Sequence, residues 1–456
     1  MTLWGKLWKR KPDWALPPEP DERAIERNRI LSVVNNAVLH LHPASVPARA
    51  VRFTYTWGLG GASAVLATML ALTGLLLMFR YDARVDYAYT SIQELETQVM
   101  FGSLVRAIHH WSANLLVITT FLHLLRVFLT GGFKKGRTAN WLIGVALLLV
   151  VLGSNFTGYL LPWDQLAYWA ITVSTTLLTY IPLVGGGISR YLLAGPQVGQ
   201  GALSNFYALH VVVLPVALAA LMGYHFWKIR KNGGISQPES EGGRTERVTT
   251  IPHLVNVELA AALVLILVVT LWGMLVPAPL GGIADPLDSP NPAKAAWYFM
   301  GLQELLLHMH PLAAMALVGV FLGALLLVPY LDRRTDDIGI YFRSMVGKRA
   351  ALLGAILALD LVPLLVIVDE YWLDLPGWFP DVPAFVANGL IPLSATLLVL
   401  ILLYGLMRVA LSYQGRKANH SEALLGIFLF LIVGLIVLTV IGVFFRGENM
   451  ALVLPF

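Results

Sequence analysis

Three histidines stand in one apolar stretch, RAIHHWSANLLVITTFLHLLR, at His109, His110 and His123. An imidazole in hydrocarbon is costly unless something satisfies it, so the identity of its partner is the first question. A helix turns about 100° per residue. The 14 positions from 109 to 123 therefore return the side chain to within about 40° of one face, about 21 Å further along the axis. His110 points about 100° away. A second stretch, FYALHVVVLPVALAALMGYHFWKIRK, holds His210 and His225, 15 positions apart. That spacing brings them within about 60° of one face and about 22 Å apart along the axis. Two like-oriented helices then offer matching histidines at two depths. A pair of neutral imidazoles is a good axial set for haem iron and leaves no open position, which suits electron transfer rather than oxygen binding. The plain alternative is a set of core histidines satisfied by ordinary hydrogen bonds, and the doubled spacing argues against it.

Glycine repeats the interval. Gly60 and Gly74 are 14 apart, as are Gly144 and Gly158, on two further apolar stretches. A missing side chain permits close approach, either of another helix or of a flat macrocycle. His109, His210, His123 and His225 are accordingly the expected metal ligands, paired across two helices, with the four glycines making room.

The elements that must position these residues are membrane helices. Of 456 residues, 57% are hydrophobic and 13% charged, and the mean hydropathy is +0.70, which excludes an ordinary soluble domain. Apolar runs long enough to cross about 30 Å of hydrocarbon recur near 57–79, 108–129, 141–161, 208–227, 254–276, 311–331, 350–368, 390–411 and 423–445. The expected fold is an all-α polytopic membrane protein: a four-helix bundle holding two haems, with about five further spans. The expected divisions are an N-terminal extension (1–45), the dihaem bundle (46–230), a polar linker (231–253), a three-helix rear unit (254–370) and two additional helices (371–456).

Cysteine is absent, which excludes disulfides, thiolate-held iron–sulfur clusters and thioether-attached haem on this chain. The start MTLWGKLWKRKPDWALPPEP has no apolar core of a signal peptide and reads as a cytoplasmic or interfacial extension. Basic residues gather before the first run, between the second and third (Lys134, Lys135, Arg137) and after the fourth (Lys228, Arg230, Lys231). All fall on one side if the spans alternate, so the N-terminus is expected in the cytoplasm. No basic array interleaved with aromatics points to nucleic acid.

IHHWSANLLVITTFLHLLRVFLTGGFKK, GYLLPWDQLAYWA and FYALHVVVLPVALAALMGYHFWKIRKNGGIS closely resemble cytochrome b of the quinol:cytochrome c (or plastocyanin) oxidoreductases, the cytochrome bc and bf complexes. The front half resembles the short bf-type cytochrome b, and the rear half, to about residue 368, resembles the separate subunit that completes the quinol site in bf complexes. The resemblance implies two non-covalent, bis-histidine b haems. His109 and His210 would hold the low-potential haem near the outer face, and His123 and His225 the high-potential haem near the cytoplasm. Arg106 and Arg126 would neutralise haem propionates, and Arg230 would lie near an inner quinone site; ordinary anchoring at membrane ends is the alternative for each. It further implies quinol oxidation outside, quinone reduction inside, a Rieske iron–sulfur protein or c-type cytochrome as separate partner chains, a dimeric complex, and a bacterial cytoplasmic membrane.

Three departures stand out. Gly58 replaces the bf-type cysteine that holds an extra haem. Two spans are added at the end. The family's Pro-Glu-Trp-Tyr motif at the outer quinol site reads Ala295, Ala296, Trp297, Tyr298, so the carboxylate that accepts a quinol proton is missing. Proton removal needs an acceptor within hydrogen-bond reach or one water away. Glu304 is the nearest carboxylate expected at membrane depth, where burial is expected to raise its pKa into a useful range; a helix-end glutamate in water is the plain alternative. Tyr298 and Trp297 would line the site or belong to an interfacial aromatic belt. Without the motif glutamate a second reading stands beside the first: a non-bifurcating electron conduit between a quinone pool and an extracytoplasmic multihaem or other redox partner. A transporter or structural subunit without redox activity is the third.

Overall fold

Each apolar run folds as a helix because a backbone in hydrocarbon must satisfy its own N–H and C=O groups. The computed structural model describes residues 42–238 and 246–453. Among them, nine helices are long and apolar enough to span a membrane: α1 (Leu59–Met78), α2 (Gly102–Leu129), α3 (Thr138–Leu160), α4 (Gln200–Lys231), α5 (Thr250–Leu275), α6 (Pro311–Leu331), α7 (Met345–Tyr371), α8 (Val386–Ala410) and α9 (His420–Phe444). Each coincides with one of the apolar runs. The chain is an all-α integral membrane protein, as expected. Most of the N-terminal extension, residues 1–41, and the linker positions 239–245 lie outside the described residues.

Short helices flank the spans on the side opposite the basic loops. Val85–Gln98 precedes α2, while Gln165–Thr179 and Gly185–Leu193 join α3 to α4. Met300–His308 precedes α6. On the basic side the linker returns to the start of the described chain: β1 (Ser45–Pro47) pairs antiparallel with β2 (Arg247–Thr249), Ser45 opposite Thr249.

The two halves share one core. Leu124, Phe128, Trp141 and Val145 of the front half pack with Leu325, Ala351, Leu425, Phe428 and Ile432 of the rear half. Phe128 of α2 stacks on Phe428 of α9 with ring centroids 3.7 Å apart. The last helix, one of the two added spans, is thus central. Glycines let it in: a Cβ on Gly354 of α7 would lie 2.1 Å from the Gly426 carbonyl oxygen of α9. Close backbone approach of this kind is how helices associate where lipid removes the hydrophobic drive. Its N-terminal end is fastened by a buried, charge-balanced cluster, in which Lys134 Nζ lies 2.8 Å from both Asp332 and Asp337 while Arg343 pairs with Asp332 and Ser421.

Candidate functional site

Successive spans alternate in direction, so α2 and α4 run the same way, and residues 14 or 15 apart on each differ in depth by about 21–22 Å. The ring centroids of His109 and His210 are 6.3 Å apart, and those of His123 and His225 are 6.4 Å apart. Two metal–imidazole bonds of about 2 Å, with about 1.1 Å from each ring centre to its nitrogen, give nearly the same separation. All four expected ligands are therefore brought together in the expected pairs. His210 sits in a π turn, Leu209–Val213, just ahead of Pro215. A proline withholds a helical N–H, and such local widening is common where a helix must aim a functional side chain.

The glycines face the imidazoles themselves. A Cβ would meet the Cε1 atom of His123 at 3.1 Å from Gly60, of His109 at 3.1 Å from Gly74, of His225 at 3.7 Å from Gly144 and of His210 at 2.5 Å from Gly158. Each histidine thus has its own glycine on a neighbouring helix, α1 serving α2 and α3 serving α4. From sequence these glycines admit either another helix or a macrocycle; the structure shows that they admit the imidazole edges.

Two threonines set the ring orientation at one depth. Thr73 Oγ1 donates to the Met69 carbonyl at 2.7 Å and lies 2.9 Å from His109 Nδ1. Thr157 Oγ1 donates to the Gly153 carbonyl at 2.9 Å and lies 3.1 Å from His210 Nδ1. A hydroxyl has one proton to give, so with that proton on the carbonyl each threonine is an acceptor for Nδ1–H. In that tautomer Nε2 is the unprotonated nitrogen of each ring, as a metal ligand needs. Among the described residues, no side-chain hydroxyl does this at His123 or His225. The doublets Thr73–Gly74 and Thr157–Gly158 are the signal in the sequence, where the 14-residue interval singles out only their glycines.

The front half meets the rear half at the non-basic face. Asp164 of PWDQ caps the helix Gln165–Thr179 through the Ala167 N–H (2.9 Å), and its other oxygen accepts the Gly281 N–H (2.8 Å). Gln165 N–H donates to the Gly282 carbonyl at 2.8 Å. Trp297 Nε1 donates to Asn114 Oδ1 on α2 at 2.6 Å. Asn114 Nδ2 in turn donates to the His110 carbonyl (2.9 Å) and lies 3.3 Å from His110 Nε2. The third histidine of the opening stretch thus supports a junction between halves. Tyr298 packs against the cluster formed by Leu66, Leu116, Val117 and Val151. Burial, with a smaller contribution from nearby Tyr159, pushes the Tyr298 phenol well above its ordinary pKa.

The cytochrome b/b6/petB family profile matches residues 45–233. Cytochrome b6 of Acaryochloris marina (strain MBIC 11017) is 45% identical over 180 residues, spanning 40% of this chain and 83% of the relative. The chain belongs to the cytochrome b/b6 family. Cytochrome b6 of Porphyra purpurea is likewise 45% identical over 180 residues, 40% of this chain and 83% of that protein. The fold extends further: a chain of a hyperthermophilic respiratory Complex III superposes with a TM-score of 0.65 at 20% identity, covering 92% of this chain and 97% of its own. Family membership implies b haem, and the residues present fit it: two imidazole pairs at iron-spanning distance, and a buried cation beside one of them.

That cation is Arg126. It is buried, its guanidinium lies over the Tyr55 ring at 4.8 Å, its Nε donates to the Tyr55 carbonyl at 3.3 Å, and its Nη2 has no hydrogen-bond partner. An orphaned buried donor one turn from His123 is what an anionic haem edge would satisfy. Arg106 differs from the expectation. It pairs with Glu96 and donates to the Ala278 (3.0 Å) and Pro279 (2.6 Å) carbonyls, because the rear-half loop and the preceding helix reach it first. It ties the halves together. Arg230 is exposed at the basic end of α4. A cavity of about 360 Å³ opens beside that end, lined by Lys134, Arg137, Asn232, Ser236 and Arg247 among others, without Arg230.

Glu304 requires a correction. It is fully buried, but it is not isolated: Arg446, just past α9, holds it through Nε (3.0 and 3.1 Å) and Nη2 (2.6 Å), and His308 Nε2 lies 3.2 Å away. Burial alone would raise its pKa, yet the hydrogen bonds from His308 and Arg446 outweigh burial and hold it below the usual carboxylate range. A carboxylate so held is a poor proton acceptor. Nothing in the sequence near Glu304 announced Arg446, which lies 142 positions away.

Proposed function

We propose that this chain is the dihaem cytochrome b subunit of a membrane quinol oxidoreductase. The observation that carries the reading is the matched pair of ring separations, 6.3 and 6.4 Å, between α2 and α4 at two depths. His109 with His210, and His123 with His225, would hold two b haems by their Nε2 atoms. When bound, the two groups supply one-electron carriers at two depths, so that electrons can cross the membrane.

Thr73 and Thr157 keep the ligand nitrogens of one pair unprotonated, and Arg126 neutralises negative charge at the other. Quinol binds at the junction of PWDQ with the AAWY segment. There Trp297 is anchored to Asn114, and the Tyr298 phenol, kept protonated by burial, orients the quinol as a hydrogen-bond donor rather than removing its proton. With Ala296 in the motif position and Glu304 committed to Arg446, the quinol protons leave through water or through a partner chain. Quinone is reduced near the basic face, which the positive-inside rule makes cytoplasmic, with Arg230 near that site. Oxidation outside and reduction inside make the cycle electrogenic. The electron acceptors, a Rieske iron–sulfur protein or a c-type cytochrome, are separate chains of a dimeric complex in a bacterial cytoplasmic membrane.

The missing carboxylate favours one rival: a conduit that passes quinol electrons to an extracytoplasmic redox partner without splitting them. The test is a reduced-minus-oxidised spectrum of the purified complex with its subunit composition. Two b-type components, one lost with His109→Ala and the other with His123→Ala, are expected. Loss of the same component from both variants would sink the two-station reading, and copurified multihaem subunits without a Rieske protein would favour the conduit.

A further inference from the structure

The segment that carries Trp297 and Tyr298 is fastened at several points to α9 and to the turn that follows it. Asn291 Nδ2 donates to Asn449 Oδ1 (3.0 Å) and its Oδ1 accepts the Asn449 N–H (2.5 Å). Lys294 Nζ donates to the Val443 carbonyl at 2.9 Å. A Cβ on Gly442 would lie 2.7 Å from Met300 Cε, and one on Gly301 would lie 2.7 Å from Leu435 Cδ1. Arg446 then grips Glu304 at two oxygens while its Nη1 donates to Glu370 Oε2 (2.8 Å) and to the Met450 carbonyl (2.9 Å). The side chains of Arg446 and Glu304 are 1% and 0% exposed. Apolar residues of similar volume often stabilise such a contact as well as a buried ion pair does, so the geometry the pair imposes is the more informative part of its role. Here it sets how the helix Met300–His308 sits, and that helix follows Trp297–Phe299 without a break.

We propose that Arg446 is a positioning residue for the outer quinol site, acting through Glu304, and that the last helix is a working part of that site. The inference rests on the proposed quinol chemistry. Arg446 touches no substrate; it fixes the distance between Trp297 and Asn114 and the height of the Tyr298 phenol. The segment lacks the proline at 295 that would stiffen it, and the clamp from α9 supplies the stiffness from outside.

The test uses the intact purified complex with Arg446→Gln, Arg446→Lys, Glu304→Gln and the double variant Glu304→Gln/Arg446→Gln. Haem spectrum, thermal unfolding, and quinol KM and kcat are read separately. In each single Gln variant a buried charge loses its main partner, Glu304 keeping only the ion pair with His308 and Arg446 only that with Glu370, so unfolding temperature falls. The double variant removes both charges and recovers much of the loss, although Glu370 and His308 each give up one partner. Positioning predicts that the quinol KM rises about tenfold or more in the single variants, since small misplacements of binding groups are costly, and stays high in the double variant although stability returns. Arg446→Lys recovers part of the affinity. A KM that returns to native together with stability in the double variant would reduce the pair to a structural role and overturn the proposal. So would native KM and kcat in any folded Gln variant. Should a single variant fail to fold, the double variant and the lysine still decide. Failure of the underlying reading looks different: the native complex itself would not reduce its haems with quinol.

Discussion

Thr73 Oγ1 lies 2.9 Å from His109 Nδ1 while its own proton is spent on the Met69 carbonyl, and Thr157 stands in the same relation to His210. The pair at this depth is therefore oriented by its neighbours in a way the pair at His123 and His225 is not. Loss of an outer partner of a ligating imidazole typically costs about 10- to 100-fold in metal affinity. Thr73→Val and Thr157→Val should weaken or shift one of the two haem components in a redox titration and leave the other unchanged. Equal shifts in both components would show that the hydroxyls act generally.

The glycines are unequal. A Cβ at 158 would lie 2.5 Å from His210 Cε1, whereas at 144 it would lie 3.7 Å from His225 Cε1, an ordinary contact. Gly158→Ala should displace His210, cost about 1–3 kcal/mol and reduce one haem component, and Gly144→Ala should be tolerated. Haem content per polypeptide, measured spectrally in both variants, checks the order.

Ala295 donates its N–H to Gln303 Oε1 at 2.6 Å, and Gln303 Nε2 donates to the Ala293 carbonyl at 2.6 Å. Restoring the family's proline by Ala295→Pro removes that donor and leaves the Gln303 oxygen unpaired, a cost of about 1–3 kcal/mol. Thermal unfolding should fall accordingly, and Gln303→Ala should remove most of the difference between Ala and Pro at this position. Additive losses in the double variant would sever the link.

His308 lies between Asp369 Oδ2, 2.7 Å from its Nδ1, and Glu304 Oε1, 3.2 Å from its Nε2, with Arg446 Nη2 3.3 Å away on the same side. Burial alone would lower its pKa, but the two carboxylates outweigh burial and raise it from 6.5 to about 9. A raised histidine contributes stability that is complete below its unfolded pKa and is lost as pH climbs through the folded value. Unfolding temperature of the complex should therefore decline between pH 7 and pH 10 more steeply in the native protein than in His308→Gln. Parallel curves would show that the imidazole does not titrate there.

How much of this was written in the sequence depends on the range of the interaction. Hydrophobic runs had to become helices because lipid offers the backbone no other partner, so nine spans could be read in advance. Intervals of 14 and 15 within a helix are converted by its fixed pitch into face and depth, so the partners His109, His123, His210 and His225 were legible from spacing alone. The threonines beside the glycines were legible too, as dipeptides. What tertiary structure decided were contacts between residues far apart in the chain. Glu304 looked like an isolated carboxylate until α9 brought Arg446 to it from 142 positions away. Arg106 is expected from resemblance to meet a haem propionate or anchor a membrane end, and the rear loop brings the Ala278 and Pro279 carbonyls against it. A charge takes its pKa and its role from whatever neutralises it, and in a polytopic bundle that neighbour is chosen by helix packing. The central place of α9 was hidden for the same reason: its glycines and Phe428 carry no mark of which helices they will meet until all nine are assembled.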